Sequence, residues 1–304
     1  MIYYLKKLIN KMNEIAIIGI GRWGKNLIRE FSKISKLKIC MTTGDKKNIA
    51  WLKENHPNVI HTTNILDILN DPNIDAVIIA TPIKTHYILA KKILESKKHA
   101  FVEKPLAKTT PEITKLIKIA KKNERSLFVG HVFLHNEVFK KLKLILKNES
   151  IKHAIFEWKK FGTFDEDIFQ NLASHDFSLI LNLFGIPKKM IITEKIKFIT
   201  KVDRFSVDLY FNNNIKSQIT IDRLSNYKKK TINIITKNNS YLWDDDELYK
   251  FGKKDQTYKK IFKSRKTPLF LECQEFVKCI NQKKYSIDSA ELAKKISKLI
   301  SKLN

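Results

Sequence analysis

The sequence predicts an α/β chain in two parts: a doubly wound parallel sheet, then an α+β domain with a largely antiparallel open sheet. Three observations carry this expectation. Strands and helices alternate from residue 12 to residue 129, with crossovers long enough for parallel strands. Several short apolar runs stop abruptly at proline or glycine, as buried strands do at a sheet edge. Beyond Gly185 the apolar pattern changes from helical spacing to period two. With 304 residues and 43% hydrophobic content, the chain can fill a core in each part.

Composition narrows the class. No apolar run approaches the roughly 20 residues that span a bilayer, so no membrane partner is expected. The opening MIYYLKKLIN is too short and too interrupted by lysine for a signal peptide. Residues 1–11 are expected to lie outside the fold, as an N-terminal extension or a start-site artefact. Cys40, Cys273 and Cys279 are odd in number and form no C-x-x-C, which argues for a reduced, cytoplasmic protein without a structural metal. The net charge of +27 invites a nucleic-acid reading. The lysines are spread over both halves, however, and there is no helix-turn-helix or aromatic RNA-binding signature. The charge is therefore taken as a general positive field, which would attract an anionic small molecule.

Glu14–Ile18 reads as a buried strand running into Gly19-Ile20-Gly21-Arg22-Trp23-Gly24 and a helix over Lys25–Lys33. That order is the one a dinucleotide site requires. The first glycine permits the tight turn, the second lets the backbone approach a pyrophosphate, and the third lets helix and strand pack closely. The free amides of the helix start would face the phosphates. A second strand, Leu37–Met41, leads to Thr42-Thr43-Gly44-Asp45. Asp45 is placed either to bond the adenosine ribose or to cap the helix beginning at Lys46. Thr42 and Thr43 with Lys46 and Lys47 could instead take a 2′-phosphate, so NAD and NADP both remain open, with NAD slightly favoured.

Strand Ala76–Ala80 ends in Thr81-Pro82-Ile83-Lys84-Thr85-His86, opening a helix over 84–95. The next buried run, Ala100-Phe101-Val102, stops at Glu103-Lys104-Pro105. Proline cannot donate to a sheet ladder, so Lys104 is held at the carboxyl edge of a buried strand, where ligands of open α/β sheets bind. Helix Glu112–Lys122 and strand Leu127–Val129 follow, then Gly130-His131. In the second part, Gln170 opens an apolar helix to Phe184, on which Asn171 and His175 are four apart and so share a face. Strands are expected near Met190–Thr200, Phe205–Phe211, Ile215–Asp222, Thr231–Thr236 and Tyr241–Trp243, and helices over Leu271–Ile280 and Ser289–Leu303.

These marks together resemble one family, the glucose–fructose oxidoreductase / inositol 2-dehydrogenase / rhizopine catabolism family (Gfo/Idh/MocA). They are the glycine fingerprint, the ATPxxTH-like segment Ala80–His86, the tripeptide Glu103–Pro105, Gly130-His131 and the histidine-bearing helix start. The resemblance runs from Met12 to the end and is nearest to members acting on nucleotide-linked sugars, such as 3-dehydrogenases of UDP-N-acetylglucosamine-type substrates. It implies a Rossmann domain over 12–129 and a substrate-binding and oligomerisation domain over 130–304. It also implies hydride transfer between NAD or NADP and a sugar carbinol, and a homo-oligomer, dimer or tetramer. Lys104 and His175 would be catalytic. The cofactor side would comprise Gly19, Gly21, Arg22, Trp23, Gly24, Thr43, Asp45, Thr81, Pro82, Thr85, His86, Glu103 and Lys104. The substrate side would comprise Lys104, His131, Phe133, Asn171 and His175. Many members carry aspartate where this chain has Asn171, and an amide cannot share a proton as a carboxylate does. A non-catalytic, dinucleotide-binding sensor or regulator of the same fold is the alternative.

Overall fold

A computed structural model describes residues 12–253, 256–282 and 284–303; the expected extension over 1–11 lies outside the described residues. The chain forms two compact units. The first holds β1 (Glu14–Ile18), α1 (Arg22–Phe31), β2 (Lys36–Met41), α2 (Lys46–Asn55), β3 (Ile60–Thr62), α3 (Leu66–Leu69), β4 (Ala76–Ile79), α4 (Ile83–Glu95), β5 (His99–Glu103), α5 (Thr110–Lys122) and β6 (Leu127–Gly130). The six strands are all parallel in the order β3-β2-β1-β4-β5-β6. The strand order reverses between β1 and β4, which makes their carboxyl ends the switch point where ligands of such sheets bind.

Side chains alternate across the sheet and build two apolar layers. Ala16 and Ile18 of β1 join Val77, Val102, Val129, Ile93 and Leu116 on one face. Ile15 and Ile17 join Ile78, Phe101, Phe128, Leu27 and Phe31 on the other. This second layer is completed from far along the chain, because the helix Pro268–Ile280 contributes Cys273, Phe276 and Cys279. The Phe101 ring lies 5.8 Å from Phe31, 5.4 Å from Phe128 and 5.5 Å from Phe276. The sequence-based division placed all of 130–304 in the second domain. Leu269–Lys294 belongs instead with the first unit, since its apolar stripe closes that unit's core.

The second unit carries α6 (Glu137–Leu146), β7 (Ile151–Lys159), α7 (Ser174–Phe184), β8 (Lys189–Ile196), β9 (Arg204–Tyr210), β10 (Lys216–Asp222), β11 (Lys229–Thr236), β12 (Asn239–Asp244), β13 (Glu247–Gly252) and β14 (Lys259–Lys263). These strands form one sheet in the order β14-β13-β12-β11-β7-β10-β9-β8. Its one parallel pair is β7–β10, and every other pairing is antiparallel. The mixed, largely antiparallel sheet is therefore as expected. β13 and β14 were not anticipated, because neither alternates cleanly between apolar and polar residues. Among the described residues no helix is long and apolar enough to cross a membrane. No group of three or more His, Cys, Asp or Glu is placed among them to hold a metal ion.

Candidate active site

In the first unit the glycine turn sits at the switch point. Gly19 has φ +102°, and a Cβ there would lie 2.4 Å from the Ala80 carbonyl oxygen at the end of β4. A Cβ on Gly24 would lie 2.0 Å from the Gly19 carbonyl oxygen. Both positions are thus closed to any other residue by the chain itself. Gly21 is different: its φ of −70° suits any residue, and among the described residues nothing lies within 4 Å of a Cβ built there. The open space beside Gly21 is where an external group can approach the backbone. Gly21 caps α1 without a side-chain bond, and no acidic residue occupies the first turn, so the amides there are available to an anion. These features fit the pyrophosphate of a dinucleotide.

Trp23, in that same turn, is half-exposed, and its indole Nε1–H donates to Glu103 Oε1 at the end of β5. The Lys104 backbone N–H faces the other carboxylate oxygen at 3.3 Å. Glu103 thus ties the glycine turn to the Glu103-Lys104-Pro105 segment. Gly130 makes room for it, since a Cβ on Gly130 would come within 3.2 Å of both carboxylate oxygens. Burial pushes the Glu103 carboxyl up to about 7, against the indole and Lys104, which pull it down. A second fully buried carboxyl, Glu272, is raised well above its ordinary value by burial and by the charge of Glu103. Sequence reasoning missed Glu272. Its signal is visible afterwards: it lies on the apolar stripe of its helix with Leu269, Phe276 and Cys279, where a carboxylate has no solvent.

The Thr81–His86 segment is braced internally. The Thr85 hydroxyl donates to the Pro82 carbonyl at 2.8 Å, so the Thr81 hydroxyl donates to Thr85 Oγ1 across 2.7 Å. Pro82, at the start of α4, is exposed. His86, expected on the cofactor side, is buried. It is 1% exposed, with Nδ1 2.7 Å from the Pro105 carbonyl oxygen and Nε2 2.7 Å from that of Thr81. The ring is packed between the ends of β4 and β5, and its neutral form donates its one N–H to one of these two carbonyls. Burial pushes its pKa down, and the two carbonyls pull the other way. Asp45 Oδ1 accepts the Lys47 and Asn48 N–H groups at 2.9 and 3.1 Å, which is the helix-cap alternative of its two readings. Thr43 and Arg22 are exposed, Lys104 is half-buried and His131 is buried. A cavity of about 320 Å³ lies at the opposite, amino edge of the sheet, beside Asp75, Lys98 and His99. Its Lys98 ammonium donates to the Asp71 and Ile74 carbonyls at 2.6 and 3.0 Å, a structural use of the charge.

In the second unit, Phe133 lies in the 3₁₀ turn Val132–His135 and Trp158 on the inner face of β7. The His175 ring stands 4.9 Å from Phe133, edge-on at 89°, and 5.5 Å from Trp158. The structure therefore brings two predicted residues, Phe133 and His175, together and adds Trp158. Asn171 falls in a π-helical turn, Phe169–Ala173, that runs into α7. The expectation that Asn171 and His175 share a face assumed 3.6 residues per turn throughout, which a π turn does not keep.

Residues 13–131 match the Gfo/Idh/MocA family, described as an oxidoreductase family with an NAD-binding Rossmann fold. The strand order and the glycine turn of the first unit are those of that fold. Among curated proteins, the chain is 33% identical over 185 residues to the uncharacterized oxidoreductase YrbE of Bacillus subtilis, covering 56% of this chain and 53% of the relative. It is 27% identical over 183 residues to the myo-inositol 2-dehydrogenase of Thermotoga maritima, covering 56% and 54%. It thus spans about half the length of the curated relatives it matches. Among solved structures, the UDP-N-acetylglucosamine 3-dehydrogenase GnnA of Acidithiobacillus ferrooxidans superposes with a TM-score of 0.87 at 19% identity, over 97% of each chain. A levoglucosan dehydrogenase in complex with NADH and levoglucosan gives 0.83 at 16% identity, over 96% of each. At such identities these likenesses establish the fold that is shared.

Proposed function

We propose that the protein is an NAD(P)-dependent oxidoreductase that moves a hydride between a nicotinamide cofactor and the carbinol of a sugar, nucleotide-linked and therefore anionic. The observation that carries the reading is the open approach to Gly21 and the start of α1 at the switch point, joined through Trp23 and Glu103 to Lys104. When bound, the nicotinamide accepts or supplies the hydride. In the oxidative direction the carbinol C–H bond breaks with its electron pair, the hydroxyl proton leaves to a base, and a C=O bond forms. His175 is the acid/base, since an imidazole exchanges protons near neutrality. Lys104 orients the hydroxyl and stabilises the developing alkoxide. Asn171 positions a substrate hydroxyl without sharing a proton. The net charge of +27 favours an anionic sugar. Assembly as a homo-oligomer and residence in the cytoplasm belong to the same reading.

A screen of UDP-sugars with NAD and NADP, following the absorbance of reduced nicotinamide, tests it. Turnover of at least one such sugar is expected. Tight dinucleotide binding without turnover would favour the second reading, a dinucleotide-binding sensor, which the amide at Asn171 motivates.

A further inference from the structure

Lys230 lies beside the aromatic cluster around His175. On β11 it shares the inner face with Ile232 and Ile234, which are 3% and 0% exposed, and it lies directly across from Trp158 of β7. Its ammonium sits 3.6 Å from the centroid of the Phe133 ring and 3.7 Å from that of Trp158. It also pairs with Asp176 Oδ1 at 3.3 Å, a side chain 2% exposed in the first turn of α7. The same two rings flank the imidazole of His175, the neighbour of Asp176. Burial raises the Asp176 carboxyl, and Lys230 pulls it back down.

We propose that Lys230 is the positioning residue for His175, holding both the helix turn that carries the imidazole and the two rings between which it stands. The role in turnover rests on the proposed reading of His175 as acid/base; the positioning of the ring does not. A cation against two aromatic faces is attracted to both, so the ammonium fixes Phe133 and Trp158 at once. Its pairing with a buried carboxylate adds a tie from β11 to α7 that neither ring supplies. Such a pair is broken at high cost, because removing one partner leaves the other charged and dry. The carboxylate next to His175 in the chain thus works through Lys230.

The test uses the full chain and three variants. Lys230→Met keeps the volume and the contact with the rings but not the charge. Lys230→Met with Asp176→Asn removes both charges together and keeps the unit folded if the single variant fails to fold. Lys230→Arg restores pairing and stacking. The first readout is the His175 imidazole resonance without any substrate, assigned by its loss in His175→Gln. It is expected to shift and broaden in both variants that lack the ammonium and to return in Lys230→Arg. An unmoved, sharp resonance in a folded variant that lacks the ammonium overturns the proposal. The second readout is turnover of the best UDP-sugar of the screen. The variants that lack the ammonium are expected to lose about tenfold to a hundredfold in kcat, as a misplaced catalytic group does, with an unchanged KM for the dinucleotide. Wild-type rates in those variants overturn the proposal. A moved resonance together with a wild-type chain that turns over nothing upholds the positioning and overturns the enzyme reading alone.

Discussion

Replacing Glu272 by Gln should change how the stability of the first unit depends on pH. Glu103 and Glu272 are both buried carboxyls whose pKa values lie above the ordinary value of 4.5, raised by burial and, for Glu272, by Glu103 as well. A carboxyl whose folded pKa is raised keeps its proton in the native state after the unfolded chain has lost it. The native state then binds more protons, so this contribution to stability falls as pH rises. The window opens at the ordinary value of 4.5 and, for Glu103, closes at about 7. Each proton so retained is worth about 1.4 kcal/mol per pH unit, or about 3 kcal/mol across that window. Glutamine keeps the shape of the protonated side chain and cannot ionise. Glu272→Gln should therefore gain on the wild type as pH rises above the ordinary value of 4.5, by up to about 1.4 kcal/mol per pH unit while the native Glu272 keeps its proton. Urea denaturation of both proteins across that range measures it, and the histidines common to both cancel in the difference. Parallel curves, or a variant that loses ground as pH rises, would refute the reasoning.

Other substitutions probe the same frame. Gly130→Ala pushes a methyl within 3.2 Å of both Glu103 oxygens and should cost about 1–3 kcal/mol, read from the denaturation midpoint. Trp23→Phe removes the indole donor to Glu103. It should cost about 1–3 kcal/mol and weaken dinucleotide binding measured by calorimetry, because the glycine turn loses its tie to β5. Asp203→Asn strikes the second unit. Asp203 is 0% exposed, accepts the backbone N–H groups of Phe198, Ile199 and Thr200, and pairs with Arg223 at 3.1 Å. Burial alone would raise its pKa, but these bonds hold it well below the usual carboxylate range. Its contribution is present above the unfolded pKa and is lost as pH falls through the folded one. The amide should cost about 3–5 kcal/mol near neutrality, since it leaves Arg223 buried against a neutral partner, and the loss should shrink at low pH.

The glycine turn, the buried strands β1, β4 and β5 and the proline-stopped edge at Lys104 were legible because local rules decide them. A positive-φ glycine, a residue that cannot donate to a ladder and an apolar run between charges each act within a few residues. What escaped was set by distant partners. Lys230 reads as one of many lysines until Trp158 is paired across from it, although its parity with Ile232 and Ile234 marks it as inward. Glu272 looks like a surface acid until its helix returns to close the core of the first unit. His86 was expected on the cofactor side from its place at the sheet edge, and its burial beside the Thr81 and Pro105 carbonyls has no local signal. The π turn before α7 has no sequence signature, so the spacing of Asn171 and His175 was taken as helical. β13 and β14 went unseen because Lys250 of β13 takes the same parity as the buried Leu248, and β14 is nearly all exposed, so neither shows a clean alternation.

The most direct measurement follows the hydride itself. A UDP-sugar that the screen identifies, carrying deuterium at its carbinol carbon, is incubated with the protein and oxidised dinucleotide, and the dinucleotide is weighed by mass spectrometry. The expected result is reduced dinucleotide carrying the deuterium, with the label lost from the sugar and the transfer abolished in Lys104→Ala and His175→Gln. Dinucleotide that binds the wild-type protein yet stays oxidised and unlabelled with every sugar offered would contradict the proposed reaction.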